Sequence, residues 1–374
     1  MAARQLTVMQ ILPALESGGV ERGTLEVAEA LVEAGHRSIV VSSGGRLVEQ
    51  LVEGGSEHIR MPVGRKSPAM LLQVLPLREI LLKEQVDIVH ARSRIPAWIA
   101  WMAWFSMHSS QRPRFITTVH GLYSVKRYSA IMMRGERIIA VSDTARKYIL
   151  NNYPAVDSRR VVTIYRGVDS GEFPYNFRPD EAWRESWYRE YPFLLDRKVL
   201  TLPGRLTRLK GHEDFIRLIA VLVARGLDVH GLIVGHLDPK RRKYIDELRT
   251  MIAERSLENR ITFTGQRSDM KNIYACSNVV LSLSSKPESF GRTVAEAISL
   301  GVPVVGYGDG GVGEILDRYY PAGSVSAGDA DQLAAKIMAI LGGPERITRQ
   351  EVFTRQAMLE QLLQLYQEQA PSHR

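Results

Sequence analysis

Short apolar runs alternate with helix-period stretches twice along this chain, and that double alternation limits the fold more than any other feature. In the first series strands are expected at Leu6–Leu12, Ser38–Ser42, Ile88–Ala91, Phe115–Val119, Arg137–Val141 and Val161–Ile164. Helices are expected at Glu21–Ala34, Leu71–Glu84 and Ile95–Met107, the first ending at Gly35. The pattern breaks over 171–192, a stretch rich in Pro, Tyr, Trp and charge that reads as a partly helical linker. A second series follows, with strands at Val199–Leu202, His230–Val234, Ile261–Thr264, Val279–Ser282 and Pro303–Val305. Its helices are expected at His212–Arg225 and Tyr244–Arg255, with another opening near Gly291. Strands alternating with helices argue for parallel β-α-β units with right-handed crossovers. A length of 374 residues suits two domains of roughly 150–200 residues each. The expected class is therefore α/β, two Rossmann-like domains whose strand ends face a shared cleft. Boundaries are expected at 1–172 and 173–347, with 348–374 supplying a helix, Thr348–Gln367, that docks back across the domains.

The richest stretch for chemistry is Pro287–Val305, PESFGRTVAEAISLGVPVV. Glu288 and Glu296 stand eight residues apart, slightly over two helical turns. A helix opening near Gly291 puts Glu296 inside it and Glu288 at its mouth, where backbone N–H groups favour anions and a carboxylate can hold sugar or ribose hydroxyls. The unit suggests a nucleotide-sugar site. Gly204–Gly211, GRLTRLKG, follows the Val199 strand, so Arg205 and Lys210 fall in a β-α loop where paired cations would neutralise a diphosphate. Gly18 and Gly19, before the first helix, would let backbone approach a phosphate or sugar, although they form no G-x-G-x-x-G fingerprint. His90-Ala91-Arg92-Ser93-Arg94 also leaves a strand end, and Arg92 and Arg94 suit an anionic acceptor. No metal is expected: the one Asp-x-Asp, Asp329-Ala330-Asp331, reads as a helix start, and the histidines lack ligand spacing. No cofactor is implied.

The net charge of +8 is concentrated. Between His58 and Leu150 there are 15 Lys+Arg against 5 Asp+Glu, a net +10, which asks for an anionic partner. Basic residues there include Arg60, Arg65, Lys66, Arg112, Arg114, Lys126 and Arg127, beside a helix carrying Trp98, Trp101 and Trp104. Ile95–Met107 is too short to span a bilayer. A single cysteine, Cys276, excludes an internal disulfide and fits a reducing compartment. The start of the chain lacks a signal-peptide layout. A cytoplasmic protein, peripheral at the inner face of the cytoplasmic membrane, is expected.

Seven motifs in order resemble glycosyltransferase family 4, retaining enzymes of the GT-B fold. They are SGGVER (Ser17–Arg22), TTVHGLY (Thr117–Tyr123), Val141-Ser142, IYRGVD (Ile164–Asp169), GRLTRLKG, the Glu288–Glu296 unit and GDGGVGEIL (Gly308–Leu316). The resemblance spans nearly the whole chain and is closest to bacterial cell-envelope and lipopolysaccharide-core enzymes. It implies that Arg205 and Lys210 grip the donor diphosphate, and that Glu296 holds the ribose. Glu288, with the Phe290 and Gly291 backbone, would orient hydroxyls of the donor sugar, Thr293 would be a further substrate contact, and Gly18 and Gly19 would approach the donor phosphate. His120 would stand at the reacting face as a polarising contact. Arg292 departs from the aliphatic residue common there and would add a donor or acceptor contact; Arg166 replaces a common Asn.

The implied activity is metal-independent hexosyl transfer with retention, from a UDP-, GDP- or ADP-sugar to a hydroxyl of a glycan or glycolipid that carries phosphate in some cases. With no carboxylate placed as a nucleophile, a front-face reaction is implied. Nucleic acid is not an expected partner. Two alternatives stay open: a sugar-nucleotide epimerase of the same fold, and a non-catalytic basic binding protein.

Overall fold

The computed structural model describes residues 4–16, 18–65, 67–343 and 346–370. Ser17 of the SGGVER motif and Lys66 of the basic segment lie outside the described residues. The chain divides into two compact units, Met1–Tyr165 with Gln356–Arg374, and Arg166–Arg355.

The first unit is built on a seven-stranded sheet. Its strands are β1 (Thr7–Ile11), β2 (Arg37–Ser42), β3 (Glu57–Arg60), β4 (Ile88–Ala91), β5 (Arg114–Val119), β6 (Arg137–Ala140) and β7 (Val161–Thr163). They lie in the order β3-β2-β1-β4-β5-β6-β7, each pair parallel. Apolar side chains from four strands, Val8, Ile88, Ile116 and Ile139, pack on Leu362, Leu365 and Tyr366 of the closing helix Arg355–Gln369. A buried polar clasp fixes that helix: His90 bonds the Tyr366 hydroxyl through Nδ1 and Thr118 Oγ1 through Nε2, both at 2.6 Å.

The second unit carries a six-stranded parallel sheet of β8 (Lys198–Pro203), β9 (Val229–Val234), β10 (Ile261–Gly265), β11 (Val279–Ser282), β12 (Val304–Tyr307) and β13 (Ser324–Val325). Its order is β10-β9-β8-β11-β12-β13. Leu200, Ile233, Leu281 and Val305 form its core with Phe215, Ile219 and Leu222 of the His212–Ala224 helix and with Leu333 and Ile337 of the Ala330–Leu341 helix. Asp329 caps that last helix by accepting from Gln332 N at 2.8 Å, so the Asp-x-Asp is a helix start.

Each sheet reverses its strand order once, between β1 and β4 and between β8 and β11. At such a reversal the loops leaving the two carboxyl ends diverge and open a crevice, where ligands of doubly wound sheets bind.

Three local expectations are corrected. The stretch 171–192 is partly helical as expected, with Asp180 capping the helix Glu181–Glu190, but it is not a linker: Trp187 and Tyr191 bury against Val199, Leu232 and Ile273 of the second unit. The aromatic content that suggested a connector is core. The closing helix begins at Arg355, not Thr348. The first helix begins at Gly19, two residues early.

The IYRGVD motif runs beside the returning chain. Val168 and Thr354 form a parallel bridge, Val168 N donates to Phe353 O at 2.7 Å, and Arg355 pairs with Asp169 at 3.2 Å. A Cβ at Gly167 would lie 2.3 Å from Arg355 N, so only glycine admits this approach.

Candidate active site

In the second unit the reversal brings together the loops after β8 and β11, and with them residues 78 positions apart. Lys210 Nζ donates to Glu288 Oε1 at 2.7 Å, and Ser284 Oγ bonds the same oxygen. The two loops are laced by Ser285 N donating to Leu209 O at 3.0 Å. Gly211 makes the approach possible: its φ is +71°, and a Cβ would stand 1.9 Å from Leu283 O. A left-handed backbone and a steric ban together require glycine there. The aliphatic stem of Lys210 runs past Gly204, φ +144°, whose own Cβ would lie 3.4 Å from Lys210 Cδ.

Glu288 is also held from the other side. Gly311 N donates to its carbonyl at 2.8 Å, and Glu288 and Gly310 form an isolated parallel bridge. Gly310 has φ +65°, and a Cβ at Gly311 would sit 2.5 Å from Phe290 Cα. The glycines of GDGGVGEIL therefore let the β12 loop pack against the Glu288–Phe290 backbone.

Gly291 caps the helix Arg292–Ser299, as its spacing predicts. Glu296 lies inside it, buried at 7% exposure. Arg292 Nε donates to Glu296 Oε1 at 2.8 Å, one helical turn away, and the Tyr274 hydroxyl donates to Oε2 at 3.4 Å. Burial, reinforced by the Glu296 carboxylate, raises the Tyr274 hydroxyl far above its ordinary range, so it stays a donor. Phe290 and Gly291 are buried and Thr293 half-buried. Arg205 is exposed, on the rim of a 530 Å³ cavity shared with Arg208, Arg241 and Lys243, apart from the Lys210–Glu288 pair. His212, next after Gly211, is fully buried, and burial lowers its pKa to about 4, so the imidazole is neutral at the helix start.

In the first unit the loops after β1, β4 and β5 share one sheet edge, since Ile11, Ala91 and Thr117 are in register. Gly18 caps the Gly19–Glu33 helix, and a Cβ on it would lie 2.1 Å from Glu21 Oε2. The Glu21 carboxylate thus folds back over the helix mouth, the position an N3 glutamate takes in a capping box. Arg92 is 5% exposed, its Nη1 donating to Gln10 Oε1 at 2.7 Å. Arg94 lies between aromatic rings, 4.6 Å from the Tyr123 centroid and 5.1 Å from Tyr128. His120, half-buried, opens the turn that carries Tyr123, so the β4 and β5 loops meet through Arg94.

Reading residues along the chain misses Ser284 and Tyr274. Ser284 sits four positions before Glu288, a usable signal; Tyr274 lies on a separate helix, Met270–Ala275, and spacing gives no hint of it. Among the described residues no group of three His, Cys, Asp or Glu side chains has metal-binding geometry, and no helix is long and apolar enough to cross a membrane.

Two family models match in tandem: Glycosyltransferase Family 4 over residues 17–172 and Glycosyl transferases group 1 over residues 184–357. A glycosyltransferase structure from Rickettsia africae is similar along 98% of both chains, at 32% identity and a TM-score of 0.84. The Anabaena protein HepE, solved with UDP and glucose, shares the fold over 97% of this chain and 100% of its own, with 18% identity and a TM-score of 0.82. N-acetyl-alpha-D-glucosaminyl L-malate synthase of Bacillus anthracis is 24% identical over 361 residues, 93% of this chain and 91% of that protein. With two Rossmann-like sheets and these matches end to end, the chain belongs to the family 4 type of glycosyltransferases, enzymes of the GT-B fold.

Proposed function

We propose that this glycosyltransferase moves a hexose from a nucleotide sugar to a hydroxyl of a cell-envelope glycan or glycolipid, with retention and without a metal. The observation that carries the reading is the Lys210–Glu288 pair at the strand-order reversal. Both side chains keep about a quarter of their surface exposed, 28% and 25%, so an incoming donor can reach them. A diphosphate oxygen replaces Glu288 on Lys210, and the released Glu288 carboxylate accepts from donor-sugar hydroxyls. Arg205, across the same β8 loop, adds a second cation to the leaving group, while Glu296, aimed by Arg292 and Tyr274, accepts from the ribose. Phe290, Gly291 and Thr293 line the sugar, and Gly18 and Gly19 meet the phosphate once the Glu21 carboxylate withdraws. HepE's UDP and glucose favour a UDP-sugar over GDP- or ADP-sugars.

In the reaction the acceptor oxygen bonds the anomeric carbon on the face from which the diphosphate leaves. The acceptor proton passes to the departing phosphate oxygen, and His120 polarises the reacting hydroxyls. Cations already aimed at the growing phosphate charge do the work a metal would otherwise do. Arg94 touches an anionic acceptor with the edge of its guanidinium, and buried Arg92 contributes positive potential from beneath.

The same reading places the first unit on an anionic inner-membrane surface. Supporting it, Leu71, Leu72, Leu75 and Phe105 are 53%, 73%, 61% and 60% exposed, on helices packed together, with exposed Arg65, Lys126 and Arg127 in the same unit. Trp98 and Trp104, by contrast, are half-buried and donate to Tyr128 O and Pro113 O. The leucines and Phe105 therefore form the apolar contact. The deciding assay is transfer from UDP-, GDP- and ADP-sugars by purified protein, with and without chelator. Activity lost to chelation and restored by magnesium would overturn metal independence; no transfer or hydrolysis of any donor would overturn the donor reading.

A further inference from the structure

A second cavity, of about 690 Å³, opens in the second unit at the amino ends of β8 and β11. Its floor is the turn Ala275–Asn278 and its rim includes Lys198. The Lys210–Glu288 pair stands at the carboxyl ends of the same parallel strands. Six residues of β8 separate the two edges by about 20 Å, at roughly 3.3 Å per residue.

The walls are cationic. Arg178, Arg184, Arg197, Lys198 and Arg346 line the cavity against one carboxylate, Asp196. Arg197 is partly neutralised by Asp228 at 3.4 Å, and Arg346 is spent partly on Ala275 O at 2.6 Å. Arg178 and Arg184, both exposed, have no acidic partner among the described residues. Asn278 adds a directed donor. Its Oδ1 accepts from Val199 N at 2.7 Å, which fixes the amide orientation and leaves Nδ2 free to donate.

The site is also rigid. Ser299 Oγ donates to Phe173 O at 2.8 Å, Asn176 N to Leu300 O at 3.1 Å and Tyr175 Oη to Ile347 O at 3.0 Å. These bonds pin the 173–177 wall to the body of the unit. Several guanidinium groups and an amide donor lining one recess are the kind of forked N–H donors that phosphate oxygens accept from.

We propose that this cavity is a second anion site, which binds a soluble phosphate-bearing small molecule at the sheet edge opposite the donor. It would let a phosphorylated metabolite modulate the enzyme without competing for the sugar nucleotide.

The single cysteine of the chain, Cys276, lines the cavity and reports on it locally. The experiment measures the alkylation rate of Cys276 in the full chain with and without inorganic pyrophosphate. At ten times its dissociation constant the ligand should slow alkylation roughly tenfold. Protection should persist in Lys210→Ala and vanish in the double variant Arg178→Ala/Arg184→Ala, whose exposed positions leave the core intact, as thermal unfolding would verify. Because Arg184 also pulls the Cys276 thiol down against the burial that raises it, the ratio of rates with and without ligand is compared within each variant. Unprotected wild-type protein, or protection lost in Lys210→Ala and kept in the arginine variant, would overturn the proposal. Protection by phosphatidylglycerol vesicles but not by pyrophosphate would overturn it in favour of a lipid surface.

Discussion

The two units share a plan and differ in how they use charge. Both are doubly wound parallel sheets with one strand-order reversal and basic side chains beside it. In the second unit the cation Lys210 meets a half-open carboxylate, and the glycines Gly211 and Gly310 hold the loops close. In the first, Arg92 is bonded beneath Gln10, and Arg94 is held between two tyrosine rings. A doubly wound sheet therefore offers the place for a ligand but does not supply the chemistry. The chemistry depends on whether the loop charges are left exchangeable or are consumed by packing.

Removing the exchangeable charges should have the largest effect. Lys210→Ala and Glu296→Ala should each lower kcat/KM by about 30- to 1,000-fold, the worth of roughly 2–4 kcal/mol of transition-state contact. Circular dichroism should show both folded, and near-normal turnover in both would end the site assignment. Glycine at the crossing gives the next largest effect. Gly211→Ala should cost stability of roughly 2–3 kcal/mol and most activity, from combined backbone strain and collision with Leu283 O. Gly226→Ala is the control, since φ is +82° but nothing lies within 4 Å of its Cβ; it should cost about 1 kcal/mol. Equal losses would show that the close approach to Leu283 is unimportant.

In the first unit the largest single effect should come from Tyr366→Phe, which leaves buried His90 Nδ1 without its 2.6 Å partner. A loss of about 1–3 kcal/mol in urea unfolding is expected, with donor hydrolysis unchanged. The smallest and broadest effect is on pH. Burial lowers His212 and His230 to about 4 and His90 well below 6.5, so the unfolded chain binds protons that the folded one refuses. Stability should be complete above pH 6.5 and fall as pH drops from there toward 4. A urea midpoint that rises on acidification through this window would contradict the neutral, buried assignment.

Much of this was legible in the residues. Most strands buried on both faces read as apolar runs, and Gly291 announced its helix. The edge strand β3, Glu57–Arg60, was not legible, because an exposed strand carrying three polar side chains in four has no apolar signature. Nor was β13, only two residues long. Within the site, Glu288 and Glu296 stood out by local spacing. Lys210 stood out too, as a loop cation, but its pairing with Glu288 did not, because it exists only where β8 and β11 are neighbours. Tyr274, which reaches Glu296 from a separate helix, gave no signal at all. The burial of Arg92 depends on Gln10, 82 residues earlier. Such contacts are decided by topology, which no window of sequence contains.

The bridge between Val168 and Thr354 has a consequence for how the polypeptide is made. The second unit, Arg166–Arg355, is one uninterrupted segment, whereas the first waits for the helix that begins beyond it. The second unit holds its whole core within that segment, while the first, though earlier in the chain, is completed only by Leu362, Leu365 and Tyr366. Domains normally finish in the order they emerge. Here the unit that emerges first is completed last, and a chain lacking residues 356–374 would keep an uninterrupted second unit and leave the first sheet uncovered.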